Sequence, residues 1–210
     1  MKNLIIIGAG NFAKIVYEYA LLSPDYNSKW NIKGFLDPNI DSMKNELNYP
    51  NVISTVDDYQ VQKDDLFICS FVNPVDRVKS IETISGKGGK FISLIHFTAN
   101  INRTSVLGEG AFIGAFTTLS VNTQIGNHVI IQDHCNIGHD SSVGDYSHLY
   151  VGNIICGKNE VGNQVSIFTG STIYPKIKIG DNSTVGAGSV VMRSVKKDMT
   201  VIGNPAKILE

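Results

Sequence analysis

The sequence predicts an α/β N-terminal domain of Rossmann type, followed by a parallel β-helix built from hexapeptide repeats. Three observations carry that expectation. From Ile95 to Val191 every sixth residue is Ile, Leu or Val, seventeen positions without a miss, although these types make up only 56 of the 210 residues. Corner tripeptides recur every 18 residues: IGN at Ile125, VGD at Val143, VGN at Val161 and IGD at Ile179. The chain opens on NLIIIGAG, an apolar run that breaks into a glycine turn.

A period of six fits neither the 3.6 of an α-helix nor the two of an isolated strand, whereas three flat hexads close one triangular coil. The 18-residue recurrence is that coil. Roughly five coils at ~4.8 Å make a rod about 25 Å long. Each hexad residue points inward and contributes about 1.5–3 kcal/mol by burial. The residue two before it is mostly small, as at Ser105, Ala111, Thr117, Thr123, Cys135, Ser141, Ser147, Ser171, Ser183 and Ser189.

Residues 3–7 read as a buried strand, GAGNFA as a sharp turn, and Ala13 to Leu22 as an amphipathic helix. Strand, glycine turn and helix open a nucleotide-binding βαβ unit, in which helix N-terminal amides face phosphate. Gly8, Gly10, Asn11 and Phe12 form that turn, with Ala13 at the third small position. A second strand, IKGFLD at 32–37, ends in Asp37, at the distance where an acid meets a ribose or base. After a loop at 38–51, LFICSF at 66–71 is a third strand, and Asn73 and Arg77 open a helix from Val75 to Ile84. Arg77 suits a phosphate or carboxylate. The glycine-rich SGKGGKF places the join, giving domains 1–88 and 89–210. FISLI at 91–95 reads as a last strand entering the solenoid, and MTVIGNPAKIL as an extended tail.

Formal net charge is −1 and no Lys/Arg run exceeds two residues, which argues against nucleic acid or an anionic membrane as partner. No apolar run is long enough to cross a bilayer. Three cysteines without a CxxC suggest a reducing, cytoplasmic compartment.

An aliphatic core confines chemistry to the outside of the prism, where histidine is the side chain titrating near neutrality. His128 is expected at an exposed corner, and His96 before the regular array. His139, two past Ile137, stands at a corner beside Asp140, alone in a column whose equivalents are Val121, Gly157 and Pro175. His148 precedes Leu149 and is expected to face outward. Below His134 lie Gly152, Gly170 and Gly188, a column without side chains that would open backbone amides to a long, thin ligand.

The hexapeptide array, the segment NIGHDSSVGDYSHLYVG, the GNPAK tail at 203–207 and GAGxxAK at 8–14 together resemble the NeuD/PglD-like family of sugar acetyltransferases. That resemblance implies a left-handed β-helix, a homotrimer, and acetyl-CoA as co-substrate without a metal. It implies N-acetylation of a nucleotide-linked amino-sugar, an NDP-4-amino-4,6-dideoxy sugar of bacterial surface glycans, with the nucleotide held by Gly8, Gly10, Asn11, Phe12, Asp37, Asn73 and Arg77. His139 matches the family's general base, with Asp140 beside it. His148, Gly152, Gly170, Ala187, Gly188, Pro205 and Lys207 fall along the coenzyme. The chain departs from the family at Asn11-Phe12, where Gly-His is common, and at Val72-Asn73, where Gly-Asn is common. Two other activities fit the same residues: O-acetylation of a sugar hydroxyl such as that of sialic acid, and, through the His134-x4-His139 spacing, a γ-carbonic-anhydrase-like zinc site. A non-catalytic scaffold or nucleotide sensor is a further reading of the fold.

Overall fold

The computed structural model describes residues 1–209. Two compact units divide the chain, Met1–Leu94 and Ile95–Glu210. In the first, β1 (Lys2–Ile7), α1 (Asn11–Leu22), β2 (Trp30–Leu36), β3 (Val52–Ser54), β4 (Asp65–Cys69) and α2 (Pro74–Gly86) follow in order. The sheet is parallel with order β3-β2-β1-β4. The central strand β1 is covered on both faces, so Leu4 to Ile7 are fully buried and apolar without alternation.

Helix α1 begins two residues before the expected Ala13, because the extended backbone of Gly10 serves as N-cap. It buries Phe12, Ala13, Val16 and Ala20 along one stripe. Strand β3 falls just beyond the expected loop. The segment 91–95 is not a full strand of this unit. Phe91 makes an isolated bridge to Phe67, whose N–H donates to Lys90 O and whose carbonyl accepts from Ile92 N–H. Residues 90–92 thus bond with the first unit, whereas Leu94 and Ile95 form a short strand in a sheet of the β-helix.

The second unit winds as the hexad pattern requires. Its two-residue strands pair in parallel at a separation of 18, as in Gln124 with Ser142, Ile130 with His148 and Ile137 with Ile155. Three sheets result, one per face, with five or six hexad strands each. Every hexad residue from Ile113 to Val191 is at most 3% exposed, while Ile101 and Leu107 in the first coil are half-buried. The small residues staple coil to coil. The side chains of Ser105, Thr117, Cys135, Ser141, Ser147 and Ser171 each donate to a carbonyl 15 residues ahead. Asn153 and Asn159, both fully buried, satisfy corner carbonyls with Nδ2 and an amide of the next coil with Oδ1.

The tail is a hairpin rather than an extended segment. Thr200–Gly203 runs parallel to Thr184–Val185, and the chain reverses through a cis Asn204–Pro205 bond into Ala206–Ile208. Open amides on the last coil require acceptors: Thr184 N–H donates to Met199 O and Gly186 N–H to Val201 O. No helix among the described residues is long and apolar enough to cross a membrane.

Candidate active site

The corners of the β-helix form three columns of residues with positive φ. One is Gly110, His128, Tyr146, Gln164, Asn182 and Asp198; the second is Asn122, Asp140, Lys158 and Lys176; the third is Phe116, His134, Gly152, Gly170 and Gly188. Eleven non-glycine residues occupy this conformation in the first two columns and at the head of the third, so the corner backbone alone does not demand glycine. A Cβ at Gly152, Gly170 or Gly188 would meet nothing within 4 Å. The glycines thus leave open space along one edge, as expected. Their own N–H groups are spent between coils, on Asp133 O, Val151 O and Thr169 O. The outward amides belong instead to the preceding residues. Val151, Thr169 and Ala187 N–H have no acceptor among the described residues. In the first column the same position is capped by an Asx side chain one coil on, for instance Asn127 N–H by Asp145 and Asp145 N–H by Asn163. Ala187, Thr169 and Val151 are related by the 18-residue spacing.

His139 and Asp140 form a pair on the second column. His139 Nδ1 lies 2.8 Å from Asp140 Oδ2, with the two side chains 53% and 43% exposed. A carboxylate at Nδ1 selects the tautomer that protonates Nδ1 and leaves Nε2 an acceptor. Hydrogen bonds from His139 and then from Asn122 Nδ2, which donates to Asp140 Oδ1 at 3.0 Å, hold the Asp140 carboxyl below the usual carboxylate range. One coil on, a Cβ at Gly157 would sit 2.5 Å from His139 Nε2, so this glycine keeps the accepting nitrogen uncovered.

Two of the other histidines, His148 and His128, differ from expectation in being buried. His148 is outward in the pleat yet fully buried; its Nε2 meets Gln132 Nε2 at 3.0 Å and its ring stacks on Tyr150 at 3.8 Å, which in turn stacks on Phe168 at 4.6 Å. His128 is buried rather than exposed, stacked on Tyr146 in space that Gly110 leaves. His134 is exposed and stacks on Phe116. The described residues of one chain bring together no three His, Cys, Asp or Glu side chains able to hold a metal. Pro205 and Lys207 lie exposed in the terminal hairpin.

In the first unit, Gly8 (φ +99) is obligatory, since a Cβ would lie 2.6 Å from Ser70 Oγ. Gly10, exposed, has open space around its Cα. Asn11 is exposed beside it and Phe12 is buried in the core. Asp37 braces the turn: Oδ2 accepts from Ala9 N–H at 2.8 Å and Oδ1 from Asn39 N–H at 2.9 Å. Asn73 caps α2, its Oδ1 accepting from Val75 N–H. Arg77 is not a surface group. It lies 1% exposed on the inner face of α2 and donates through Nη1 to Phe71 O. Beyond the ends of β2, β3 and β4, where α/β sheets place ligands, a cleft of about 510 Å³ is lined by Pro38, Thr55, Asp57, Phe71, Asp76 and Ser80. Sequence reasoning missed this lining because it missed β3.

Comparisons with known proteins bear on both units. A family model described as the PglD N-terminal domain matches residues 3–84, and one described as bacterial transferase hexapeptide (six repeats) matches residues 160–193. GDP-perosamine N-acetyltransferase of Escherichia coli O157:H7 is 30% identical over 80 residues, which are 38% of this chain and 36% of that protein; the match thus spans about a third of that relative. The acetyltransferase domain of PglB from Neisseria gonorrhoeae FA1090 has a TM-score of 0.90 at 27% identity, with both chains covered in full. A variant of perosamine N-acetyltransferase from Caulobacter crescentus, solved with CoA and GDP-perosamine, shares the fold with a TM-score of 0.90 at 24% identity, over 100% of this chain and 98% of that one. An α/β unit followed by a hexapeptide β-helix is the architecture that this chain shares with these acetyltransferases. Residues 3–84 thus match a PglD N-terminal domain and residues 160–193 hexapeptide transferase repeats, and over its whole length the chain is similar to the PglB acetyltransferase domain.

Proposed function

We propose that the protein transfers the acetyl group of acetyl-CoA to the amine of a nucleotide-linked amino-sugar, an NDP-4-amino-4,6-dideoxy sugar used in surface-glycan synthesis. The observation that carries this reading is the His139–Asp140 pair with its uncovered Nε2. The relatives named for N-acetylation of GDP-perosamine support the substrate class.

The amine nitrogen attacks the thioester carbonyl, and Nε2 of His139 takes the proton that the nitrogen must lose. The C–S bond then breaks as the amide forms, and the coenzyme leaves as thiolate, protonated from the imidazolium or solvent. Asp140 stabilises the imidazolium without being protonated itself. The glycine edge receives the coenzyme's thin pantetheine arm, with Val151, Thr169 and Ala187 N–H as donors. The glycine turn at Gly8 and Gly10 and the cleft at Asp76 serve the nucleotide, with Asp37 setting the shape of the turn.

A homotrimer completes this reading. The face bearing Ile154 and Val190 is flanked by exposed Val121, Tyr174 and Met192, apolar area that a single copy leaves in water. Sedimentation at a trimer mass is expected. The three cysteines are free, which suits a cytoplasmic site.

The test is CoA release from acetyl-CoA with UDP-, GDP- and dTDP-linked amino-sugars, and with free sialic acid as the hydroxyl acceptor. His139→Ala should lower kcat by roughly 10^2–10^4 while still binding CoA by calorimetry. Activity of that variant within a few-fold of wild type would remove His139 from the mechanism.

A further inference from the structure

We propose that Asn122 is a positioning residue for acetyl transfer, acting through Asp140 on the His139 imidazole. The inference rests on the reading of His139 as general base. Half of the His139 side chain is exposed and Gly157 packs against one edge only, so the direction of the ring depends also on its hydrogen bonds. Asp140 supplies one, from Oδ2. Its second oxygen is held from the coil before, where Asn122 Nδ2 donates to Oδ1 at 3.0 Å. With both oxygens engaged, the carboxylate plane is fixed and Oδ2 stays on Nδ1.

Asn122 is itself anchored. Its corner is the 18-residue equivalent of Asp140, with φ +58 against +56. Its N–H donates to Thr104 Oγ1 at 2.9 Å, and Thr104 Oγ1 donates to Asn102 Oδ1 at 3.0 Å. The line Asn102, Thr104, Asn122, Asp140, His139 therefore runs from the first coil of the rod to the base. An amide suits its place in that line: it donates to the carboxylate without adding a charge, so Asp140 remains an anion facing the imidazole.

Asn122→Gly deletes the amide and tolerates positive φ. It should lower kcat on the order of tenfold to a hundredfold, the scale of a misdirected catalytic group, with KM for both substrates unchanged within about twofold. In an Asp140→Ala background the same change should cost nothing more, because the partner through which it acts is gone. Asn122→Asp, which also accepts this backbone but cannot donate, should show the same loss and guards against a glycine variant that fails to fold. Wild-type kcat in both single variants, or a loss that adds in full to that of Asp140→Ala, would overturn the proposal while His139→Ala remains inactive. An active His139→Ala would instead overturn the reading beneath it.

Discussion

Gly157 and His139 are paired by absence: the hydrogen-only side chain of the glycine is the space that the imidazole's Nε2 edge occupies. A Cβ at 157 would approach Nε2 at 2.5 Å, Cδ2 at 2.8 Å and Cε1 at 2.9 Å. The backbone at 157 is not in the left-handed region, so alanine fits the main chain, and the collision falls on the ring alone. Gly157→Ala should therefore leave the melting temperature within a few degrees of wild type and lower kcat by about 10–10^2. Unchanged turnover would mean that the ring works from another rotamer.

The glycine edge makes a separable prediction. Asparagine occupies the same corner conformation at Asn122 and Asn182, so Gly170→Asn should fold normally. It would put a side chain into the open space beside Val151 and Thr169 N–H. KM for acetyl-CoA should rise on the order of tenfold, with KM for the amino-sugar unmoved. A rise in the sugar KM alone would assign that edge to the other substrate.

Stability of the first unit should show a defined acid limb. Asp65 is buried, which by itself would raise its pKa. The donors around it, Gln62 N–H at 2.8 Å, Tyr59 Oη at 2.7 Å, Lys33 Nζ at 3.2 Å and Asn3 Nδ2 at 3.3 Å, outweigh burial and hold it below its ordinary value. A carboxyl depressed in the folded state stabilises fully above its unfolded pKa of about 4, and that contribution disappears as pH falls through the folded value. Asp65→Ala should cost about 2–3 kcal/mol at pH 7, since Lys33 can reach water but Tyr59 is left without its acceptor. Melts from pH 7 to pH 3 should converge between wild type and variant; parallel curves would refute the assignment.

The period of six carried the β-helix in full, because each hexad residue is a core position and a single miss would have been visible. Corner equivalence at 18 residues is legible too, and it places His139, Asp140 and the glycine column in separate lines from spacing alone. What escaped depended on side chains meeting across coils. Nothing in HVIIQDHC marks His128 as buried, since its burial relies on Gly110 one coil earlier. His148 alternates outward as expected, yet Gln132 and the stacked Tyr150 flank it. In the first unit, β3 is three residues at a sheet edge, too short for a periodic signal. Arg77 reads from the sequence as a ligand for phosphate or carboxylate, but its helical position, with Ser80, Ile81 and Ile84, faces inward.

The coil length has a consequence for how such a chain can change. An insertion or deletion of one hexad would leave every peg inside, so the prism would still close, yet all corners downstream would turn by one edge. His139 and the glycine column would then lie on edges they do not now share with their partners, and the enzyme would be folded but inert. Gain or loss of whole 18-residue units escapes that penalty, so length variation among working copies should come in that step alone.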